Sequence, residues 1–191
     1  KNEIILDIPV VLSRTGYTGE DGVELFFASK EAEKLWYGLL DAGKEFGIMP
    51  AGLGARDSLR LESGYPLYGH ELNEKITPLE AGLSFAINLT KDNFIGKAAL
   101  VSQKEKGIPR KLVALEIKDK GIPRESYEIF SGSENIGTIS SGTFSPTFKK
   151  GIAMAYVKTE YAIENTEVNV KIRNSFHKAI IIKKPHYPFK G

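Results

Sequence analysis

The chain has 191 residues, 41% of them hydrophobic and 26% charged, a globular composition that argues against a disordered tail and gives room for one large domain or two small ones. Its longest apolar candidate, Ala179 to Ile182, is strand-sized, far short of the roughly 18 residues a membrane span needs, and the absence of cysteine excludes disulfides, thiolate metal sites and cysteine nucleophiles. The net charge of +2 conceals an asymmetry: residues 1–109 hold 12 Lys and Arg against 16 Asp and Glu, whereas residues 110–191 hold 14 against 8. A net of −4 followed by +6 marks either a domain boundary with a basic half suited to an acidic partner, or two solvated surfaces.

Ile4 to Arg14 reads as one strand that tolerates Pro9 only at an edge or bulge, and Val23 to Phe27 as a second, with Gly16, Gly19 and Gly22 between them. A chain that opens on Lys1 inside such a run is expected to have been cut from something longer. The clearest helix follows. Ser29 is its expected cap and Gly47 its stop, with an apolar stripe of Ala32, Leu35, Trp36, Leu39, Leu40 and Phe46. A second helix is predicted from Gly52 to Glu62. Thr77-Pro78-Leu79-Glu80 has the composition of a helix start, with a cap, a first-position proline and a capping-box glutamate. Leu83, Phe85, Ile87 and Leu89 alternate as a half-buried strand would, a short helix is expected near Gly96 to Lys104, and Gly107-Ile108-Pro109 reads as a linker. Beyond it, short β-rich runs recur at 111–117, 127–130, 136–140, 152–157, 167–173 and 178–183, the pattern of a small sandwich or barrel. The fold class is therefore α+β, with the texture changing near residue 109.

Two stretches carry candidate chemistry. In Ser13 to Leu25 three glycines within seven residues permit tight turning and close approach to a ligand, but the spacing matches neither a dinucleotide fingerprint nor a phosphate loop. A plain turn between strands has the same composition. Glu24 lies in an apolar run, Val23 to Phe27, where the period of two aims it at one face with Phe26; it is either solvent-facing or a buried acceptor with a purpose. In Ala51 to Leu72, Arg56 and Arg60 are four apart and share a helix face. There they grip a carboxylate together or form salt bridges with Asp57, Glu62 or carboxylates elsewhere. His70, His177 and His186 have no metal-ligand spacing, so no metal site is expected and His70 is read as structural or surface. Ser140 to Thr147 reads as turn chemistry without a nucleophile's partner base.

The runs Arg14-Thr15-Gly16-Tyr17-Thr18-Gly19-Glu20-Asp21-Gly22 and Gly52-Leu53-Gly54-Ala55-Arg56-Asp57-Ser58-Leu59-Arg60-Leu61-Glu62 resemble the glycine-cleavage T-protein (aminomethyltransferase) family. Tyr65 to Leu72, Thr77 to Leu83, Phe94 to Lys97, Ser141 to Thr147 and Lys183-Lys184-Pro185 extend the resemblance in order over nearly the whole chain. It implies that residues 1–109 are part of a folate-binding region and residues 110–191 a C-terminal β-barrel, together the C-terminal half of such an enzyme. It further implies transfer of the one-carbon unit from the aminomethyl-dihydrolipoyl arm of the H-protein to tetrahydrofolate, with release of ammonia. Tetrahydrofolate is then a substrate, the lipoylated H-protein the partner, and neither metal, nucleic acid nor membrane is involved. The cytoplasm is the expected compartment in a bacterium, the mitochondrial matrix in a eukaryote. Tyr17, Glu24, Arg56 and Tyr65 match the family positions that line the folate pocket.

Two departures accompany the match. The family's catalytic aspartate belongs to the N-terminal half and has no counterpart here, so this piece alone is expected to be inactive. Many relatives also carry an Arg after the Tyr of a C-terminal Lys-Pro-Phe-Tyr motif, where this chain has Tyr187-Pro188-Phe189-Lys190. The alternatives are a folate-binding domain like that of the sarcosine and dimethylglycine dehydrogenases, which usually lack the Arg14–Gly22 run, or a non-catalytic module binding folate or H-protein. Iron–sulfur assembly and tRNA-modification relatives carry a cysteine motif that this chain cannot match.

Overall fold

A computed structural model of the chain describes residues 1–184. It falls into two compact units that divide at Leu59 and Arg60. The first opens with three antiparallel strands, β1 (Asn2–Ile5), β2 (Ile8–Ser13) and β3 (Glu24–Phe26), in the order β1-β2-β3. The single strand expected from Ile4 to Arg14 is thus a hairpin. Leu6 and Asp7 both take positive φ, 52° and 61°, the conformation that matches a two-residue turn to the twist of its strands. Pro9 lies opposite Ile4 in β2, beyond the part of that strand paired to β3, so its missing N–H costs no bond on that side.

After β3 a short 3₁₀ turn, Ser29–Glu31, leads into helix α1 (Ala32–Ala42). Ser29 makes no capping hydrogen bond; it lies inside the turn. The helix ends at Gly43, and Gly47, at φ 72°, closes a further 3₁₀ turn. Ile8 and Val10 of β2 pack on Leu35 of α1, with Ile5, Leu25 and Leu39 around them. The rest of the predicted stripe is not buried: Ala32, Trp36 and Phe46 are exposed. Helix α2 (Leu53–Glu62) begins in this unit.

The second unit is a closed six-stranded barrel with the segments that precede it. Its strands are β4 (Arg110–Ile117), β5 (Glu128–Ser131), β6 (Glu134–Ser145), β7 (Lys150–Lys158), β8 (Glu167–Ile172) and β9 (Ser175–Ile182), ordered β4-β7-β6-β5-β8-β9 and closed by the β4–β9 pair. Leu115, Ile129, Ile139, Ala155, Val170 and Ile181 are among the side chains that fill the barrel. Strand β7 is buried on both faces. Ala153, Ala155 and Val157 point into the barrel, while Ile152, Met154 and Tyr156 join Leu61 and Leu112 in a second cluster outside it. Closure brings backbones into near contact at Gly137, where a Cβ would overlap the carbonyl of Tyr156.

Residues 60–109 belong with the barrel. The capping box at Thr77 forms in full: Thr77 N donates to Glu80 Oε2 at 2.8 Å and Glu80 N to Thr77 Oγ1 at 3.3 Å. It encloses only one turn, which Gly82 ends at φ 74°. The strand expected over Leu83 to Leu89 is absent; a 3₁₀ turn, Ser84–Ala86, takes its place with Phe85 exposed. Helix α3 (Lys97–Lys106) follows, starting just inside the expected span.

Glu80 is also held by Arg110 Nε at 2.7 Å. Burial is the largest single influence on its carboxyl and raises its pKa, but the Thr77 N–H, the Arg110 guanidinium and the Thr77 hydroxyl together outweigh it and leave the group below its ordinary value. A carboxyl whose folded pKa is depressed stabilises the fold above the unfolded value, about 4.3, and loses that contribution as the pH falls through the folded value. Thermal midpoints are therefore expected to fall on acidification below about pH 4, and Glu80→Gln to flatten that limb. An acid limb as steep in the variant as in the parent would remove Glu80 from this role.

Candidate functional site

Three of the four candidate residues lie in the first unit, on the glycine loop, at its exit strand and on α2. Gly19, buried at φ 72°, gives the loop a left-handed bend that a residue with a Cβ rarely adopts. Before the bend, Thr15 turns back so that its hydroxyl donates to Glu24 Oε2 at the start of β3. Arg14 pairs with Asp21 across the loop at 2.5 Å. Two residues after Thr15, the ring of Tyr17 lies under the guanidinium of Arg56, 4.7 Å from ring centroid to Cζ. One loop thus fixes a carboxylate and an aromatic–cation stack. Glu24 is exposed and shares its sheet face with Phe26, as the period of two requires.

Tyr65 belongs to the second unit, half-buried just beyond α2, where its N–H bonds Arg60 O at 2.9 Å. The joint grip of Arg56 and Arg60 on one carboxylate is not formed. Arg56 stacks on Tyr17, whereas Arg60, 2% exposed, pairs with the fully buried Glu71 at 2.8 Å. The salt-bridge alternative holds for Arg60, with a carboxylate elsewhere in the chain. Tyr187 to Lys190 and His186 lie outside the described residues. His70 is partly exposed with Nδ1 3.2 Å from Glu125 Oε2.

Sequence reasoning missed the polar network around Arg60. Ser140 to Thr147 is largely strand, not turn, and Ser140, Ser141 and Ser145 are buried. Arg60 Nη2 donates to Ser141 Oγ at 2.8 Å, Ser140 Oγ donates to Glu71 Oε1 at 2.6 Å, and Tyr156 Oη donates to Glu71 O at 2.8 Å. A register shift between Ile139 and Ser141 lets two consecutive serines reach the same ion pair. Two residues after Arg60, Glu62 accepts from Ser145 and from Thr147 Oγ1, the latter at 2.8 Å. Hence α2's last turn is bolted to β6 by two carboxylates and one guanidinium. The signal was a run of small hydroxyl residues, Ser140-Ser141 and Ser145 to Thr147, interrupting an apolar strand.

Comparison with known proteins places these features in a lineage. The model of the GCVT N-terminal domain matches residues 1–91, and that of the glycine cleavage T-protein C-terminal barrel domain matches residues 110–188. The aminomethyltransferases of Bacillus cereus (strain ZK / E33L) and Bacillus anthracis (strain CDC 684 / NRRL 3495) are each 52% identical over 189 residues, 98% of this chain and 52% of the relative. A crystal structure of the glycine cleavage system aminomethyltransferase T from Bartonella henselae superposes with a TM-score of 0.87 at 32% identity, over 93% of this chain and 50% of that one. The chain spans about half the length of the curated relatives it matches. Between them the two domain models take in most of its residues, and the chain belongs to the glycine cleavage T-protein family.

Proposed function

We propose that this chain is the folate-contacting and barrel portion of a tetrahydrofolate-dependent aminomethyltransferase, with residues 1–109 contributing to the folate-binding region and residues 110–191 forming the barrel domain. The enzyme takes the aminomethyl group from the dihydrolipoyl arm of the H-protein, passes its one-carbon unit to tetrahydrofolate and releases ammonia. The observation that carries the reading is the glycine loop, which fixes Glu24 through Thr15 and Tyr17 through Arg56. A pterin presents a 2-amino group and a ring N–H as a paired donor edge, and a carboxylate accepts from both. Tyr17 offers a ring face to a flat heterocycle, and Arg56 of α2, stacked on Tyr17, places a fixed positive charge beside the loop; Tyr65 is carried as a contact by the family resemblance alone. The N-terminal part of the family's enzymes supplies the acid–base aspartate. The family resemblance also supports the H-protein as partner, and the net of +6 over residues 110–191 suits an acidic carrier.

Glu24→Gln tests the assignment. The amide keeps the size of the side chain but replaces one acceptor with a donor that opposes the pterin edge. In an intact enzyme built by joining this chain to the remaining half of the Bacillus cereus aminomethyltransferase, the substitution is expected to cost about 1–3 kcal/mol of tetrahydrofolate affinity by calorimetry. H-protein affinity is expected to stay the same. Equal losses for both partners would make Glu24 a fold residue.

A further inference from the structure

The segment that carries Tyr65 is held at three backbone points, and all three lead to one buried ion pair. Helix α2 closes in a Schellman motif: Gly64, at φ 69°, gives its N–H to Leu61 O at 3.0 Å, and the Tyr65 N–H goes to Arg60 O at 2.9 Å. The Arg60 side chain then reaches the other side of the same residue, with Nη1 3.4 Å from Tyr65 O and 2.8 Å from Glu71 Oε2. Glu71 completes the clasp by accepting the Leu67 N–H on that oxygen at 3.0 Å. Both peptide groups of Tyr65 and the N–H of Leu67 are thus fixed by two residues that are 2% and 0% exposed, with little freedom to move.

The pair is in turn set from the barrel. Nη1 of Arg60 and Oε2 of Glu71 meet each other, so Nη2 and Oε1 decide how the two groups are turned, and each of these ends on a serine of β6. Ser141 Oγ accepts from Nη2 at 2.8 Å. Ser140 Oγ donates to Oε1 at 2.6 Å, the shorter of its two contacts, the other being Met154 O at 3.0 Å. The register shift between Ile139 and Ser141 is what brings consecutive residues to one ion pair. A buried ion pair adds little net stability over apolar side chains of the same volume, because desolvation of both charges offsets their attraction. What it adds is direction, since hydrogen bonds act at defined angles.

We infer that Ser140 and Ser141 are positioning residues for tetrahydrofolate: acting through Glu71 and Arg60 they fix the place of Tyr65, so the barrel sets affinity from a strand that supplies no candidate contact. The inference rests on the reading of Tyr65 as a folate contact. Removing either hydroxyl takes a bond from Nη2 or Oε1 inside the buried network, and the pair turns to recover one, drawing Tyr65 O and the Leu67 N–H with it. A contact already held in its bound position needs no ordering when the ligand arrives, whereas a loosened one is ordered at the expense of affinity. Such a loss is shared by ground and transition states, so it falls on KM and not on kcat.

The test uses the enzyme made by joining this chain to the remaining half of the Bacillus cereus aminomethyltransferase, as parent and as Ser140→Ala/Ser141→Ala. Amide hydrogen exchange is expected to quicken at Tyr65 and Leu67 while β4 and β9 keep their parental rates. KM for tetrahydrofolate is expected to rise about tenfold with kcat unchanged. Ser141→Ala alone, which keeps the Ser140 bond, is expected to show a smaller rise in both and gives the reading if the double variant does not fold. Val170→Ala hollows the barrel away from the ion pair and is the control for lost stability: its thermal midpoint is expected to fall and its KM to stay parental. Parental exchange at Tyr65 and Leu67 in the serine variants overturns the inference, as does a KM raised equally by Val170→Ala. Faster exchange with a parental KM overturns it too, and Glu24→Gln measured alongside shows what else falls. A raised KM in that variant keeps the folate reading, and an unchanged one removes it as well.

Discussion

Glu71→Ala is expected to lower the stability of the chain by about 3–5 kcal/mol, the loss that follows when one partner of a buried ion pair is removed. Glu71 has no exposure and Arg60 almost none, so the guanidinium loses this counter-charge while it stays buried. It retains Ser141 at 2.8 Å and a longer contact to Tyr65 O at 3.4 Å, both neutral acceptors. The Leu67 N–H, which bonds Glu71 Oε2 at 3.0 Å, loses its acceptor at the same stroke, while Ser140 turns to the Met154 carbonyl at 3.0 Å. Small globular proteins are stable by only about 5–15 kcal/mol, so the variant is close to unfolding. The exposed pair Lys158–Glu134 provides the control: Glu134→Gln is expected to leave stability essentially unchanged. Urea unfolding followed by circular dichroism reads both. A Glu71→Ala chain within 1 kcal/mol of the parent would mean that water enters the network and that its burial is not what holds α2's last turn to β6.

The second large effect is on rate. The isolated chain is expected to give no aminomethyl transfer above a blank, since the family resemblance places the catalytic aspartate in the N-terminal half. General acid–base assistance accounts for about 10²–10⁴ in rate, and loss of orientation adds to that. Glu24 does not take over the role: it is exposed and already accepts from Thr15. The assay is ammonia release from aminomethylated H-protein with tetrahydrofolate present. Release by the isolated chain would show that chemistry resides in these 191 residues and would overturn the division of labour proposed above.

The barrel was largely legible because each of its strands is a short β-rich run between turn residues, a local signal. Its closure was not, since a sandwich and a barrel differ only in whether β4 meets β9 and β5 meets β8, pairings between distant segments. The hairpin at Leu6-Asp7 carries neither glycine nor asparagine, so nothing in its composition marked a turn with two positive φ values. Leu83 to Leu89 failed in the opposite way, with a clean alternation but no partner strand. In the candidate site the loop's flexibility was readable from Gly16, Gly19 and Gly22. The stack of Arg56 on Tyr17 joins residues 39 apart, which only the family resemblance brought together. The Arg60–Glu71–Ser140 network was out of reach because Ser140 is 69 positions from Glu71.

The central claim is that these residues form the tetrahydrofolate-contacting part of an aminomethyltransferase. Ammonia release by the chain joined to the remaining half of the Bacillus cereus enzyme, measured with and without tetrahydrofolate and in parent and Glu24→Gln forms, tests it most directly. The account predicts release that depends on tetrahydrofolate and, at subsaturating tetrahydrofolate, falls about 5- to 150-fold in the variant, the rate equivalent of 1–3 kcal/mol. A folded, joined enzyme whose release is indifferent both to tetrahydrofolate and to Glu24 would contradict it.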